Sequence, residues 1–269
     1  MKGSGKIGDT KGTVAARGTC GAYTWVGFFP HRGAVRGGWG SAVDYEAVVR
    51  AYLRPAKRLL DIDTGGGEFL LTLRHPPENT SATEGYPPNI ALCRSVLLPL
   101  GVDFRAADDV SRLPFGDASF DIVVNRHGDF DAAELHRILK PGGIFITQQV
   151  GAENDRGLVE LLLPGTKMPY PEQYLDKVCA RFARAGFELL RGEEAFSSIR
   201  FYDVGALVWF AKIIEWEFPD FSVGRCLGRL YDAQRILDAK GVLEAATHRF
   251  LLVAQKPPAE KAVLPHRTI

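Results

Sequence analysis

The segment Asp63-Thr-Gly-Gly-Gly67 has the residue types of a ligand-binding turn. It follows the short apolar run Arg58-Leu-Leu-Asp-Ile62, and Glu68-Phe-Leu-Leu-Thr-Leu73 after it resumes at helical length. This order predicts a strand, a tight glycine turn and a helix. Glycine has no Cβ, so a ligand can approach the backbone N–H groups and the helix N-terminus closely. The glycines concerned are Gly65, Gly66 and Gly67.

Glu84 supplies a second chemical signal, because it ends the predicted strand 80–84, nineteen positions after Gly65. A carboxylate at this place can accept hydrogen bonds from both hydroxyls of a ribose. These two features suit a nicotinamide dinucleotide and an adenosyl ligand equally well. The dinucleotide pattern G-x-G-x-x-G would place Gly or Ala at position 70, where this chain has Leu70, too bulky for a pyrophosphate-binding helix. A cofactor without pyrophosphate is therefore favoured.

Alternating helices and strands from about residue 42 onward must position these groups. Apolar periodicity and turn residues predict strands at 58–62, 80–84, 102–107, 120–125, 144–147, 187–191 and 248–255. Helices are predicted at 41–53, 89–100, 131–139, 171–186 and 224–240, with Asn89 and Asp131 as N-caps and a turn at 140–143. The first five strands, each with its helix, imply a parallel sheet with right-handed crossovers.

Composition limits the classes of function. The chain of 269 residues has 46% apolar side chains, and its 33 basic residues balance 32 acidic ones, which argues against a nucleic-acid partner. No apolar run is long enough for a membrane span and no hydrophobic signal core opens the chain, so a cytoplasmic location is expected. The four cysteines lie far apart along the chain, so reduced thiols are expected. The histidines show no metal-ligand spacing with one another or with cysteine, so no metal site is expected.

The chain ends differ from its middle. Residues 1–40 contain eleven glycines, six Lys or Arg and a single acid, which predicts a flexible basic leader. One domain is predicted over 41–256, with a substrate-lid insertion near 199–240, and a short tail over 257–269. The oligomeric state stays open.

Several blocks together resemble the class I S-adenosylmethionine-dependent methyltransferases of type 11. The resemblance is close over about 45–150 and looser to 256. It implies an α/β fold with a doubly wound, mostly parallel, seven-stranded Rossmann-like sheet and helices on both faces, with S-adenosyl-L-methionine as the cofactor. The blocks are Leu59-Leu-Asp-Ile-Asp-Thr-Gly-Gly-Gly67, Glu84, Asp108-Asp109, Leu113-Pro-Phe115, Asp117-Ala-Ser-Phe-Asp121 and Leu139-Lys-Pro-Gly-Gly143.

The resemblance also implies cofactor contacts. The turn from Asp63 to Gly67 would face the methionine part, and Glu84 would bind the ribose hydroxyls. Asp109 would recognise the adenine amino group beside the Val110 backbone. The remaining contacts would come from Gly85 and Tyr86 at the adenosine and from Asn125 below the sulfonium.

One residue departs from the family pattern. Asp63 stands where such families have Gly, or sometimes Ala, at the entry to the glycine turn. Asp tolerates positive φ better than most residues, so the turn can survive. Its carboxylate could attract the sulfonium or ammonium of the cofactor, or repel the cofactor carboxylate and weaken binding. The sequence leaves both outcomes open.

Candidate acceptor-side residues follow the fourth and fifth strands. His127 is the candidate general base. In the alternative interpretation, it only forms a hydrogen bond to the substrate or to the turn at Asn125 and Arg126. Arg126 and Gln148 are candidate substrate contacts, and a packing role is equally open. The aromatic segment 199–221 suggests a lid in which Tyr202 and Trp209 contact substrate, with core packing as the alternative.

These observations predict methyl transfer to a small-molecule acceptor. Two alternatives stay open. Methylation of an RNA base would use the same core with aromatic walls for stacking. A protein that binds the cofactor without transferring methyl groups would explain Asp63. The sequence does not identify the acceptor or the acceptor atom.

Overall fold

A computed structural model describes residues 35–37 and 44–259 of the chain. Most of the predicted leader and tail, including Cys20, therefore lies outside the described residues. The strands are β1 Val35–Gly37, β2 Leu59–Ile62, β3 Thr80–Glu84, β4 Asp103–Ala106, β5 Phe120–Arg126, β6 Leu139–Val150, β7 Glu188–Phe201 and β8 Leu243–Gln255. The α-helices are α1 Tyr45–Tyr52, α2 Glu68–Thr72, α3 Pro87–Val96, α4 Ala132–Ile138, α5 Arg156–Leu162, α6 Leu175–Arg184, α7 Val204–Ile213 and α8 Val223–Lys240.

All described strands form one sheet in the order β1-β7-β8-β6-β5-β2-β3-β4. The strands from β2 to β6 are parallel, and β8, β7 and β1 add antiparallel to the β6 edge. The predicted seven-stranded, mostly parallel sheet is confirmed. The three-residue β1, which pairs with the end of β7, is an eighth strand that the sequence pattern did not predict.

Apolar side chains on both faces of the sheet explain the continuous hydrophobic run of β5. Ile122 and Val124 pack under α1, α2 and α3, whereas Phe120 and Val123 pack under α4 and α6. A strand covered on both faces needs apolar residues at successive positions. Helices on both faces confirm the doubly wound arrangement.

A third apolar cluster lies where β7 and β8 continue beyond the parallel strands. Both strands are longer than predicted, and their extension carries α5, α7 and α8. Phe201, Phe210 and Phe218 are fully buried in this cluster. These three aromatic residues of the predicted lid therefore form core packing.

One local prediction was wrong, because Asn89 does not cap α3. The helix begins at Pro87 after Tyr86, and proline is suited to a first turn whose N–H groups lack helical partners. The predicted turn at 140–143 interrupts the pairing of β6: Leu139 pairs with Phe120 and Ile144 with Ile122, so four residues of β6 stand opposite one residue of β5. Asp131 caps α4 as predicted, by accepting a hydrogen bond from the Glu134 N–H.

An alanine side chain is not expected to fit at Gly151. A Cβ there would lie 2.1 Å from Nδ1 of His248, which is fully buried and stacked on Phe196 at 4.4 Å. Gly151→Ala should lower the free energy of unfolding by about 2–3 kcal/mol because the ring must move. Chemical denaturation followed by circular dichroism measures this. The control Gly228→Ala, with no atom within 4 Å, should be neutral or stabilising; equal effects would contradict the expectation.

Candidate active site

The candidate site lies at the carboxyl ends of β2 and β5, which are parallel neighbours with Ile62 opposite Asn125. The chain order changes direction here, because β3 flanks β2 on one side and β5 flanks it on the other. Ligands of open α/β sheets bind in the crevice at such a switch point. The glycine turn after β2 and the residues after β5 therefore face one crevice.

Backbone geometry shows why the turn needs glycine. Gly67 has φ 84° as the N-cap of α2, and a Cβ on it would lie 2.8 Å from the Leu97 side chain. Its N–H donates to the Thr64 carbonyl at 3.0 Å, which closes the turn. Gly66 lies under Glu68, whose Oε2 accepts from the Gly66 N–H at 3.0 Å. A Cβ at Gly66 or Gly67 would therefore collide with a neighbouring side chain, so the closed turn requires glycine at these positions.

Glu84 joins the glycine turn to the start of α3. Its carboxylate is buried and accepts four hydrogen bonds. Oε2 accepts from the Gly65 N–H at 2.8 Å and from the Asn89 amide at 3.3 Å. Oε1 accepts from the N–H groups of Gly85 and Tyr86 at 3.0 and 2.9 Å. The structure therefore brings together Glu84, Gly65, Gly85 and Tyr86, and adds Asn89, whose position five after Glu84 was interpreted only as a cap.

Asp63 has φ 54°, which lies in the left-handed region. The glycine expected at this position from the resemblance would favour that conformation. Its largely buried carboxylate packs on Gly128 and bonds to the Asp129 backbone. Burial, with the charges of Glu84 and Asp129, raises the pKa of Asp63 to about 7. Burial likewise raises the pKa of Asp61, which accepts from the Thr64 hydroxyl at 2.6 Å, to about 7. The turn is thus a region of concentrated negative potential that favours a cationic ligand.

Asn125 holds the ends of β5 and β6 together. It is completely buried, and its amide donates to the Ile62 carbonyl at 3.2 Å. Its Oδ1 accepts from the Gln149 amide at 2.7 Å and from the Thr147 hydroxyl at 3.3 Å. Its backbone carbonyl accepts from the Tyr45 hydroxyl at 3.0 Å. The polar atoms of Asn125 are therefore already engaged within the protein.

His127 and Arg126 stand just beyond this network. His127 is in the left-handed region with φ 62°. Burial, then the charges of Arg249 and Arg126, holds its pKa well below the ordinary value, so its imidazole is neutral and a weaker base than expected. The Arg126 Nε donates to the Gln148 Oε1 at 3.1 Å, and its guanidinium lies over the Tyr45 ring at 5.9 Å. The structure therefore brings together Arg126 and Gln148, which were predicted separately as substrate contacts.

The remaining predicted residues lie at the two flanks. Asp109 is exposed beyond β4, where its Oδ1 accepts from the N–H and hydroxyl of Ser111 at 2.9 and 2.6 Å; these bonds lower its pKa. Val110 packs against the cluster under α4 and α6. Trp209 packs against the third cluster, and Tyr202 is 40% exposed between β7 and α7.

Residues 60–147 match the profile of a family described as a methyltransferase domain. This part of the chain is therefore similar to methyltransferase domains. The described fold agrees, since a putative methyltransferase from Bacillus halodurans C-125 superposes with a TM-score of 0.56 at 18% identity, covering 80% of this chain and 99% of that one. The match includes both the glycine turn and the end of β5.

The relatives of this part of the chain include two named methyltransferases. A demethylmenaquinone methyltransferase of Thermus thermophilus is 36% identical over 107 residues, which are 36% of this chain and 49% of the relative. A phthiotriol/phenolphthiotriol dimycocerosates methyltransferase of Mycobacterium tuberculosis is 31% identical over 121 residues, 42% of this chain and 44% of the relative. The chain thus spans about half the length of these curated relatives.

Among the described residues, no helix is both long and apolar enough to cross a bilayer. The His, Cys, Asp and Glu side chains of the same residues form no group of three or more that could hold a metal ion.

Proposed function

We propose that the protein transfers a methyl group from S-adenosyl-L-methionine to a small-molecule acceptor. The observation that carries this proposal is the hydrogen bond from the Gly65 N–H to Glu84, which joins the glycine turn to the end of β3 at the switch point of the sheet. This bond joins a buried carboxylate to the backbone of the glycine turn, within the part of the chain that matches a methyltransferase domain.

The chemistry of the donor set fits this cofactor. Asp61, Asp63 and Glu84 surround the turn with carboxylates, and the cofactor carries a positive sulfonium and ammonium. Glu84 would bind the ribose hydroxyls by exchanging its longest hydrogen bond, the one from Asn89. Asp109 and the Val110 backbone would contact adenine beyond β4, while Gly85, Tyr86 and Asn125 would border the adenosine and sulfonium.

Methyl transfer asks the protein mainly to align the acceptor and exclude water, because the sulfonium already activates the methyl carbon. Arg126 and Gln148 form a polar contact at the end of β5 that can orient an acceptor group. His127, neutral at pH 7, is suited to accept a hydrogen bond from that group. Trp209 and Tyr202 would contact the acceptor from the α7 side.

The acceptor is proposed to be a small molecule. The relatives are named for demethylmenaquinone and for phthiotriol/phenolphthiotriol dimycocerosates, which supports a small-molecule acceptor. The near-neutral charge of the chain does not favour a polyanion such as RNA.

Calorimetric titration with S-adenosylmethionine and S-adenosylhomocysteine tests the proposal. We expect one equivalent of either compound to bind the wild-type protein. Absence of binding would contradict the proposal. Recovery of binding in Asp63→Gly alone would instead support a protein that has lost methyl transfer through this substitution.

The affinity for S-adenosylmethionine is expected to fall about tenfold between pH 8 and pH 6. A cationic ligand stabilises ionised Asp63, and binding below its pKa of about 7 must release the proton. The charges of Glu84, Asp129 and Asp61 face the same carboxyl and contribute to its raised pKa. Titrations at pH 6, 7 and 8 measure it, with Asp63→Asn as the comparison. A pH dependence that is unchanged in Asp63→Asn would show that another group is responsible.

A further inference from the structure

Arg126 lies beside the entry to the glycine turn. The last registered pair between the parallel strands β2 and β5 is Ile62 with Asn125. Asp63 and Arg126 are the next residues of the two segments. Neighbouring strands lie about 4.8 Å apart, so Asp63 and Arg126 are neighbours at this edge of the sheet. The sequence indicated Arg126 as an acceptor contact, yet it stands next to the turn that would hold the cofactor.

The guanidinium of Arg126 lies on the face of the sheet that α1 and α2 cover. Alternate residues of a strand share one face, and Ile122 and Val124 of β5 pack under these helices. Arg126 continues this series, and its guanidinium lies over the rings of Tyr45 in α1 and Phe69 in α2, at 5.9 and 6.0 Å from their centroids. Because α2 begins directly after the glycine turn, the cation is held on the turn side of the crevice.

The terminal nitrogens of Arg126 are available to a ligand. Its Nε donates to Gln148 Oε1 at 3.1 Å, which orients the plane of the guanidinium. Within the described residues, Nη1 and Nη2 make neither a hydrogen bond nor an ion pair, and solvent reaches both atoms of this half-buried side chain. The buried guanidinium of Arg249, by contrast, donates to the Asn154 side chain and to the His248 carbonyl. An oriented guanidinium with open N–H donors is the group that binds a carboxylate at two points.

The backbone N–H groups of the glycine turn are already engaged. Those of its three glycines donate to groups of the protein itself, which are the Glu84 carboxylate, the Glu68 carboxylate and the Thr64 carbonyl. The carboxyl groups of Asp61 and Asp63 lie beside the turn and add negative potential when they are ionised. These surroundings attract the ammonium of an amino-acid group and repel its carboxylate. The carboxylate therefore needs a cation outside the turn, on the same side of the crevice.

We propose that Arg126 binds the carboxylate of the amino-acid part of S-adenosylmethionine, while the acidic glycine turn receives the ammonium. This inference rests on the proposed function. It places the two charges of the amino-acid part on different groups at the entry to the turn. Asp63 then attracts the ammonium and does not meet the carboxylate, so the departure at Asp63 supports binding. Gln148 remains the member of the Arg126–Gln148 pair that can contact the acceptor.

Calorimetric titration with two ligands tests the inference. S-adenosylhomocysteine carries both the carboxylate and the ammonium, whereas its decarboxylated analogue S-adenosyl-3-thiopropylamine keeps only the ammonium. Arg126→Gln should weaken the binding of S-adenosylhomocysteine about 30-fold, because a two-point hydrogen bond between charged groups is lost. The same variant should change the affinity for the decarboxylated analogue by less than about threefold, because that ligand has no group for the guanidinium.

Arg126→Lys separates the charge from the geometry of the guanidinium. Lysine keeps the positive charge but lacks the planar pair of donors, so S-adenosylhomocysteine should bind about fivefold more weakly than to the wild type. Affinity for the decarboxylated analogue should again stay nearly constant. An unchanged ratio of the two affinities in Arg126→Lys would overturn the role of Arg126, even where Arg126→Gln does not fold.

Arg58→Gln is the matched control, because Arg58 also lies over an aromatic ring, that of Phe120 at 5.6 Å, but at the amino end of β2. It should leave both affinities unchanged within about twofold. Equal weakening of both ligands in a folded Arg126→Gln protein, or unchanged binding of S-adenosylhomocysteine, would overturn the inference. Failure of the wild type to bind either ligand would instead refute the proposed function, so the two failures are distinguishable.

Discussion

Glu84→Gln is expected to weaken S-adenosylmethionine binding by at least about 100-fold and to lower the free energy of unfolding by about 3 kcal/mol. The carboxylate accepts four N–H donors from the turn and from α3. Glutamine keeps one acceptor oxygen and turns an amide donor toward the remaining N–H groups, which leaves buried donors unpaired. Calorimetry measures affinity, and urea denaturation followed by circular dichroism measures stability.

The control for this prediction is Glu78→Gln, because Glu78 is exposed just before β3. It should change neither quantity by more than about 0.5 kcal/mol. Affinity should be measured at a temperature where near-ultraviolet circular dichroism shows the variant folded. A Glu84→Gln protein that is folded and binds the cofactor normally would remove Glu84 from the proposed site.

Gly128→Ala is expected to destabilise the protein by about 2 kcal/mol and to disturb the glycine turn from the opposite side of the crevice. A Cβ at this position would lie 2.6 Å from Oδ2 and 2.7 Å from Cβ of Asp63, and 2.8 Å from the Asn125 amide nitrogen. Because Asn125 is buried and hydrogen-bonded to both neighbouring strands, overpacking there cannot relax freely.

The double variant Asp63→Gly with Gly128→Ala identifies the cause. Asp63→Gly removes two of the three nearest atoms and suits the φ of 54°, so it should recover at least about 1 kcal/mol of the loss. Gly116→Ala, whose nearest contact would be 3.6 Å, is the control for alanine in a loop. Strictly additive effects of the two substitutions would mean that Asp63 and Gly128 do not interact, and the packing explanation would fail.

Local chemistry explains which expectations succeeded. The continuous apolar run of β5, the glycines before α2 and the cap at Asp131 each depend on neighbouring residues, and the structure has them as predicted. The nineteen-residue spacing from Gly65 to Glu84 also has a local cause, since β2 and β3 are adjacent parallel strands whose ends meet. The Asn89 prediction failed because α3 begins at Pro87, so Asn89 lies inside the first turn and its amide donates to Glu84.

The amino-acid sequence by itself determined the succession of strands and helices in the parallel half, the glycine turn, the carboxylate that faces it and the departure at Asp63. These depend on turn residues and hydrophobic periodicity, which act over a few positions. Only the tertiary structure decided how far β7 and β8 extend, that the aromatic segment forms a core, and that Asn154 meets Glu217 and Arg249. The last contacts join residues 63 and 95 positions apart, and no local pattern encodes them because burial alone brings them together and shifts their pKa values.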